Sequence, residues 1–326
     1  MKVKLLLTII IGLATRQLLA YPNYITNNNK LSKAILQTNC STGFQSPQIL
    51  ATLEDLDINE SSGIVASRLN PNLYWTHNDS GDGPFIYAFD TKGKKRGVWK
   101  VANATAIDWE DIAIGPGPKP NKSYLYLADI GDNNRVRPYI VVYQFLEPKI
   151  TNNNSSVAKS NASLTKKSNA IKLRYPDGKY DAEVLLIHPK TGQLYIITKT
   201  PFPNPTSQLS RIYKATPPFS TKDINTLSFV TELHLPEPVS FFSNRLTGGD
   251  ISSDGQQVVL CDYQRGYELC LPSEETNFDN IWKQPLSSIE LNTRIQGEGI
   301  CYRLDGKALL TTSEGTTPPL GEIIRK

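Results

Sequence analysis

Five stretches of the sequence each open on a carboxylate, and those residues, Glu60, Glu110, Glu183, Asp250 and Glu298, are the first candidates for chemistry. Each is followed by an apolar strand-like run, a turn, and a second run that ends on a polar or charged residue: Asp79, Asp129, Lys199, Asp262 and Glu314. The two acids stand 19 residues apart in both of the first two stretches. Neighbouring turns add Asp82, Asp108, Asp111, Asp132 and Asp181. Carboxylates gathered in a confined space repel one another unless they are protonated, paired or neutralised by a cation. An all-oxygen ligand set suits a hard divalent ion such as Mn²⁺, Ca²⁺ or Mg²⁺, whereas zinc usually recruits imidazole or thiolate. Only His77 of the three histidines, beside Asn78 and Asp79, is placed to reach such a cluster. A single acid more often caps a turn than binds a metal. The five-fold recurrence of position is what points to a shared cation, with Glu60, Asp79, Glu110, Asp129, Glu183, Asp250 and Glu298 as its candidate ligands. His77, Asn78, Asp132, Lys199 and Glu314 are expected just behind them or against substrate. Lys199 would either orient an anionic substrate or pair with Glu183 or Asp181. Arg135 and Arg137 read as solvated loop charges or an anion contact at the mouth.

The elements that must carry these residues repeat. Within each stretch a third strand follows the first two, as in Phe85-Ile-Tyr-Ala-Phe and Tyr139-Ile-Val-Val-Tyr, and fourth strands are supplied by pieces beginning at Arg96, Ile171, Leu227 and Ser287. The last stretch lacks a fourth strand of its own, and the segment from Gln48 to Leu53 has no other partner, so it is expected to close a ring. Radially repeated four-stranded sheets, closed by the N-terminus, describe an all-β, five-bladed β-propeller. Six blades remain an alternative if the Asn/Ser-rich stretch 151–170, which reads as a solvated loop, hides one more. In such a ring the first strands line the axis, which would bring the five opening acids together.

Lys2 and Lys4 precede an apolar run from Leu5 to Ala14, the pattern of a cleavable signal peptide over 1–20. An N-terminal extension over 21–45 and a single propeller domain over 46–326 would follow. The apolar run is shorter than the roughly 20 residues that span a bilayer, so no membrane insertion is expected. Removal of Lys2, Lys4 and Arg16 lowers the formal charge from +4 to +1, which leaves no electrostatic case for nucleic acid. Sequons at Asn39, Asn59, Asn78, Asn103, Asn121, Asn153, Asn154 and Asn161 fit the lumen of a eukaryotic secretory pathway, either the Golgi or the route to export, although an Asn-rich composition also makes sequons by chance. The four cysteines allow two disulfides in an oxidising compartment. Cys261 and Cys270 flank a hairpin and are the first pairing to expect, leaving Cys40 with Cys301.

No Gly-x-Ser-x-Gly elbow, Walker loop, dinucleotide fingerprint or His-Glu-x-x-His occurs. The segments Glu60-Ser-Ser-Gly-Ile-Val-Ala-Ser, Trp75-Thr-His-Asn-Asp-Ser-Gly81, Asp108-Trp-Glu-Asp-Ile-Ala113, Ala128-Asp-Ile-Gly-Asp-Asn133, Tyr180-Asp-Ala-Glu183, Leu246-Thr-Gly-Gly-Asp-Ile-Ser252 and Gln296-Gly-Glu-Gly299 carry a resemblance. Together they resemble a family of secreted β-propellers that includes the tardigrade anhydrobiosis-related manganese-dependent peroxidases. The resemblance implies a propeller with an acidic metal site, bound Mn²⁺, no haem, and a small-molecule substrate, peroxide. Two other readings compete with a peroxidase. One is a phosphoesterase or nucleotidase working through Ca²⁺, which needs basic residues around the metal. The other is a glycosylated binding propeller whose cation is structural.

Overall fold

Alternating apolar runs cut by turns give five antiparallel sheets, seen in a computed structural model that describes residues 43–79, 81–151, 154–200, 209–236 and 245–326. All of them fall in the unit Gln37–Lys326. The expected signal peptide, most of the 21–45 extension, Cys40, Asn39 and Asn153 lie outside the described residues. Blade one comprises Ser61–Ala66, Leu73–Asn78, Phe85–Asp90 and Lys95–Lys100, and blade two comprises Trp109–Pro116, Ser123–Asp129, Ile140–Leu146 and Asn169–Arg174. Blade three is built from Ala182–Ile187, Leu194–Thr198, Leu209–Ala215 and Ser228–His234. Blade four uses Leu246–Ile251, Gln257–Asp262, Arg265–Cys270 and Ser287–Glu290. Gly297–Tyr302, Ala308–Ser313 and Pro319–Ile324 make blade five, whose outer strand is Gln48–Thr52. That closing strand pairs antiparallel with Pro319–Ile324, Gln48 facing Glu322, as the unpaired N-terminal segment requires. The fold is therefore a five-bladed β-propeller.

Burial follows position in the blade. First strands such as Ser61–Ala66 and Ala182–Ile187 are buried at every residue, while the outer Ser287–Glu290 buries only Ile289, because a central strand is covered on both faces and an edge strand on one. Each of five apolar clusters joins two neighbouring blades: Trp75 and Trp99 of blade one meet Trp109 and Leu127 of blade two, and Tyr126 of blade two meets Leu185 and Tyr213 of blade three. Blades therefore bury their faces against each other, and the first strands pack side by side around the axis.

Residues 154–170 are more ordered than a solvated loop. They hold two 3-10 turns, Asn154–Ser156 and Lys159–Asn161, and the short strand Ser163–Leu164, which runs parallel to Lys95–Lys100 at the edge of blade one. Lys159 is tied there to Asp82 by an ion pair. The cysteines also depart from expectation, since Cys261 and Cys301 are free and buried while Cys270 is disulfide-bonded. The hairpin explains why Cys261 and Cys270 do not pair: Cys261 faces Gly266 and Cys270 faces Gln257, four residues along the ladder. At about 3.3 Å per residue that separation exceeds the reach of a disulfide, roughly 7 Å between Cα atoms. Of the sequon asparagines, Asn59, Asn103, Asn121 and Asn161 are exposed and Asn154 is half-buried. Asn78 is buried and donates to the Asp57 carbonyl at 2.7 Å, so its amide is not available to a glycan.

Candidate metal centre

Strand register decides which residues share a ring around the axis. Every first strand bulges near its start, between Ser61 and Gly63, Trp109 and Asp111, Ala182 and Val184, Leu246 and Gly248, and Gly297 and Ile300. The bulged residues, Ser62, Glu110, Glu183, Thr247 and Glu298, are equivalent by this register. The ring thus holds three carboxylates and two hydroxyls where the sequence suggested five carboxylates. Ser62 Oγ donates to the Glu110 carbonyl at 2.7 Å, and Thr247 Oγ1 to the carbonyls of Gly297 and Glu298 at 3.0 and 3.1 Å, each stitching one blade to the next. Glu60 lies two residues upstream, exposed, in a β-bridge with Glu314. Asp250 lies three residues beyond the blade-four bulge, toward the other end of the axis. Its oxygens accept the amides of Ile251 at 2.8 Å and Tyr302 at 3.0 Å.

The same register separates the acids that end the second strands. Asn78, Asp129, Thr198, Asp262 and Ser313 face the bulge-flanking residues. Asp79, Lys199 and Glu314 come one residue later and so point to the opposite face. Asp129 is fully buried, bonded to Arg137 Nη1 at 2.8 Å, and accepts the amide of Asp108 at 3.2 Å. Burial raises its pKa and Arg137 opposes the rise. It holds the segment that bears Asp108 and is not itself in the acidic group. Asp262 accepts the amides of Gln264 and Arg265 at 2.8 and 2.7 Å and the Tyr267 hydroxyl at 2.7 Å, closing its hairpin. Asp132 likewise caps a turn, accepting from the amides of Val136 and Arg137 at 2.9 Å.

One group of carboxylates does converge. Asp79 from the end of a blade-one strand, Asp108 from the loop entering blade two, and Glu110 from the blade-two bulge each offer an oxygen within 4.8 Å of the others. Burial first, then the charges of Asp79 and Asp181, raise Asp108 to about 6, against the pull of Arg137. Glu110, more deeply buried, lies well above the usual carboxylate range for the same cause, with Asp79 and Asp108 adding to it. Gly131 completes the wall: its amide donates to the Asp108 carbonyl at 3.2 Å, and a Cβ there would stand 2.2 Å from Glu110 Oε1 and 2.4 Å from Asp108 Oδ2. Three carboxylate oxygens crowded together in a partly buried pocket make a fitting seat for a hard divalent cation. In the sequence Asp108 stands among the acids of neighbouring turns and not among the candidate ligands, and Gly131 is missed, although both sit in distinctive motifs, Asp108-Trp-Glu110 and Asp129-Ile-Gly131.

His77 and Asn78 are turned away from the triad. His77 is fully buried, with Nδ1 at 2.8 Å from the Asn78 carbonyl, and Nε2 lies on the side of Gly63 and Asp111. Burial lowers its pKa to about 4, so the ring is neutral. Asn78 Oδ1 accepts the Glu60 amide at 3.2 Å, which fixes the entry to blade one. Beyond the triad stand Lys199, ion-paired with Glu183, and the buried Glu298, whose Oε1 accepts from Gln296 at 3.0 Å. Burial pushes Glu298 up to about 8, with Lys199 opposing, and pushes Glu314 up to about 7, with Asp79 and Glu60 adding. Burial lowers the Lys199 pKa, against the attraction of Glu298 and Glu110. The mouth thus carries an acidic triad, two carboxyls that are partly protonated at neutral pH, and a lysine engaged by a carboxylate.

No protein-family model and no curated protein matches the chain. Among solved structures it is similar to hydrazine synthase of Kuenenia stuttgartiensis at 12% identity, over 83% of this chain and 96% of that one, with a TM-score of 0.40, a likeness too loose to bear on the site.

Proposed function

We propose that the chain is a metal-dependent enzyme of the secretory pathway, with Asp79, Asp108 and Glu110 holding Mn²⁺ and peroxide as its substrate. The observation that carries the metal is the triad of carboxylates within 4.8 Å; manganese and peroxide come from the motif resemblance. The disulfide at Cys270 supports an oxidising compartment. Bound manganese would supply the one-electron redox chemistry. The chain's own role is to fix the ion through three oxygens, to keep the mouth partly dry, and to provide protons. Reduction of one peroxide to two waters consumes two protons and two electrons. Glu298 and Glu314, with pKa values of about 8 and 7, are suited to proton donation near neutral pH, and the Lys199–Glu183 pair limits the charge that builds up beside them.

The test is elemental analysis of the purified protein beside an Asp79→Asn/Glu110→Gln variant, with peroxide consumption followed with and without Mn²⁺. Manganese in the wild type, lost in the variant together with turnover, is the expected result. Stoichiometric Ca²⁺ without peroxide turnover would favour the phosphoesterase or the structural-cation alternative. A wild type that binds no divalent metal would remove the basis of the proposal.

A further inference from the structure

A row of polar side chains crosses blade two at the end of the propeller away from the acidic triad. Tyr126, Gln144 and Asn169 are direct cross-strand partners on three adjacent strands. The row lines a cleft of about 420 Å³, together with Ile171 of the same blade and with Pro217, Pro218 and Phe219, which follow the third strand of blade three. That volume lies within the roughly 300–1,000 Å³ of small-molecule sites. Pro116, another lining residue, ends the strand Trp109–Pro116, whose first residue follows Asp108 of the triad. The strand is about 25 Å long at 3.3 Å per residue, so the cleft is separate from the candidate metal centre.

Hydrogen bonding fixes what the row presents. The Pro116 carbonyl can only accept, so the Tyr126 hydroxyl donates to it. The phenol oxygen is then the acceptor for Gln144 Nε2 at 2.8 Å, which sets the orientation of the Gln144 amide. Gln144 Oε1 in turn accepts from Asn169 Nδ2 at 3.2 Å, which sets the orientation of the Asn169 amide. Gln144 is buried and Asn169, at the end of the row, is half-buried. No hydrogen bond within the described residues uses Asn169 Oδ1 or its second N–H. Asn169 therefore offers an acceptor and a donor side by side on one held amide, between proline and phenylalanine rings that suit the faces of a flat ligand. None of the described lining residues is charged, and a desolvated ionic group there would have no counter-charge.

We propose that this cleft binds an uncharged, planar heterocycle with a hydrogen-bond donor and acceptor adjacent on one edge, of the kind a neutral nucleoside carries. Asn169 pairs with that edge, Gln144 and Tyr126 hold Asn169 in place, and the prolines and Phe219 cover the ring. The site is independent of the acidic triad and of the reaction proposed there.

Adenosine is the probe, because its amino group and neighbouring ring nitrogen form the edge that asparagine pairs with in nucleic acids. Calorimetric titration of the purified protein should show one site with a Kd below about 1 mM. N6,N6-dimethyladenosine, which lacks the donor, should bind the wild type at least tenfold more weakly. Asn169→Ala should lose at least tenfold in adenosine affinity and no longer distinguish the two nucleosides. Thr221→Trp, at an exposed lining residue, should block the cleft and abolish binding while the fold is kept. The absence of adenosine binding to the wild type would overturn the proposal. So would an affinity unchanged by Thr221→Trp, or AMP binding tenfold tighter than adenosine, since the phosphate would then be reading a charged site elsewhere. The Asp79→Asn/Glu110→Gln variant should bind adenosine as the wild type does, whether or not manganese or peroxide turnover is found. Binding lost in that variant would place the nucleoside at the acidic mouth and sink the cleft proposal.

Discussion

Gly131 presses its bare Cα against two carboxylates, and a methyl group there would force both Glu110 and Asp108 to move, at 2.2 and 2.4 Å. Gly131→Ala should therefore weaken divalent-ion binding by tenfold or more, the size of effect seen when a metal site's supporting groups are disturbed, while the chain still folds. Isothermal titration with Mn²⁺ measures this, and unchanged affinity would show that the triad is not the binding site. The thiols supply a second residue-scale expectation. Burial raises Cys261 to about 11 and lifts Cys301 well above the ordinary thiol value, and both are fully buried. A thiol reagent should leave both unlabelled in the native protein and label both in guanidinium; rapid native labelling would contradict their burial.

At the scale of elements, the bulge at the head of each first strand does two jobs. It aims one side chain at the axis and, where that residue is Ser62 or Thr247, bonds the next blade's backbone. Thr247→Val removes the hydroxyl and leaves two carbonyls with one bond fewer. It should cost about 1–3 kcal/mol, the penalty for unsatisfied buried acceptors, read as a lower denaturation midpoint with an unchanged slope. A midpoint equal to wild type would mean that the blades are held by side-chain packing alone. Asp111 acts in a comparable way from the position after the bulge, where its carboxylate accepts the amides of Ile112 at 2.8 Å and of Leu185, in blade three, at 2.9 Å. These contacts explain why acids of the same motif divide into ligand candidates and staples between blades.

For the whole molecule, several acids share one direction of perturbation. Asp108 is raised to about 6, Glu314 and Asp250 to about 7 and Glu298 to about 8, mainly by burial. Between the unfolded carboxyl values, roughly 4, and these folded values, the native chain binds more protons than the unfolded one. Raising the pH through that window therefore removes stability. The metal-free protein should melt at a lower temperature at pH 8 than at pH 5. Millimolar Mn²⁺ should recover stability at pH 8 and add little at pH 5, where protons compete for Asp108 and Glu110. A melting temperature independent of pH would contradict the burial of these acids.

Periodicity and turn residues by themselves determined five repeats of strand, turn and strand, and the lack of a fourth strand at the C-terminal end showed that Gln48–Leu53 must close the ring. Those features are local, because alternation and turn chemistry are written in consecutive residues. Acidic clustering was legible as well, including Asp79 and Glu110. Which acids meet was decided only by the tertiary structure. One inserted residue at each bulge shifts the register and reverses the face on which every later side chain emerges. That shift set Ser62 and Thr247 in the ring in place of Glu60 and Asp250, while the loop before Trp109 brought Asp108 to Asp79 and Glu110. The cysteines teach the same lesson, since Cys261 and Cys270 are close along the chain but four residues apart on the ladder. Distance along a sequence fixes neither register nor side-chain direction, and both are settled when strands pair and blades pack.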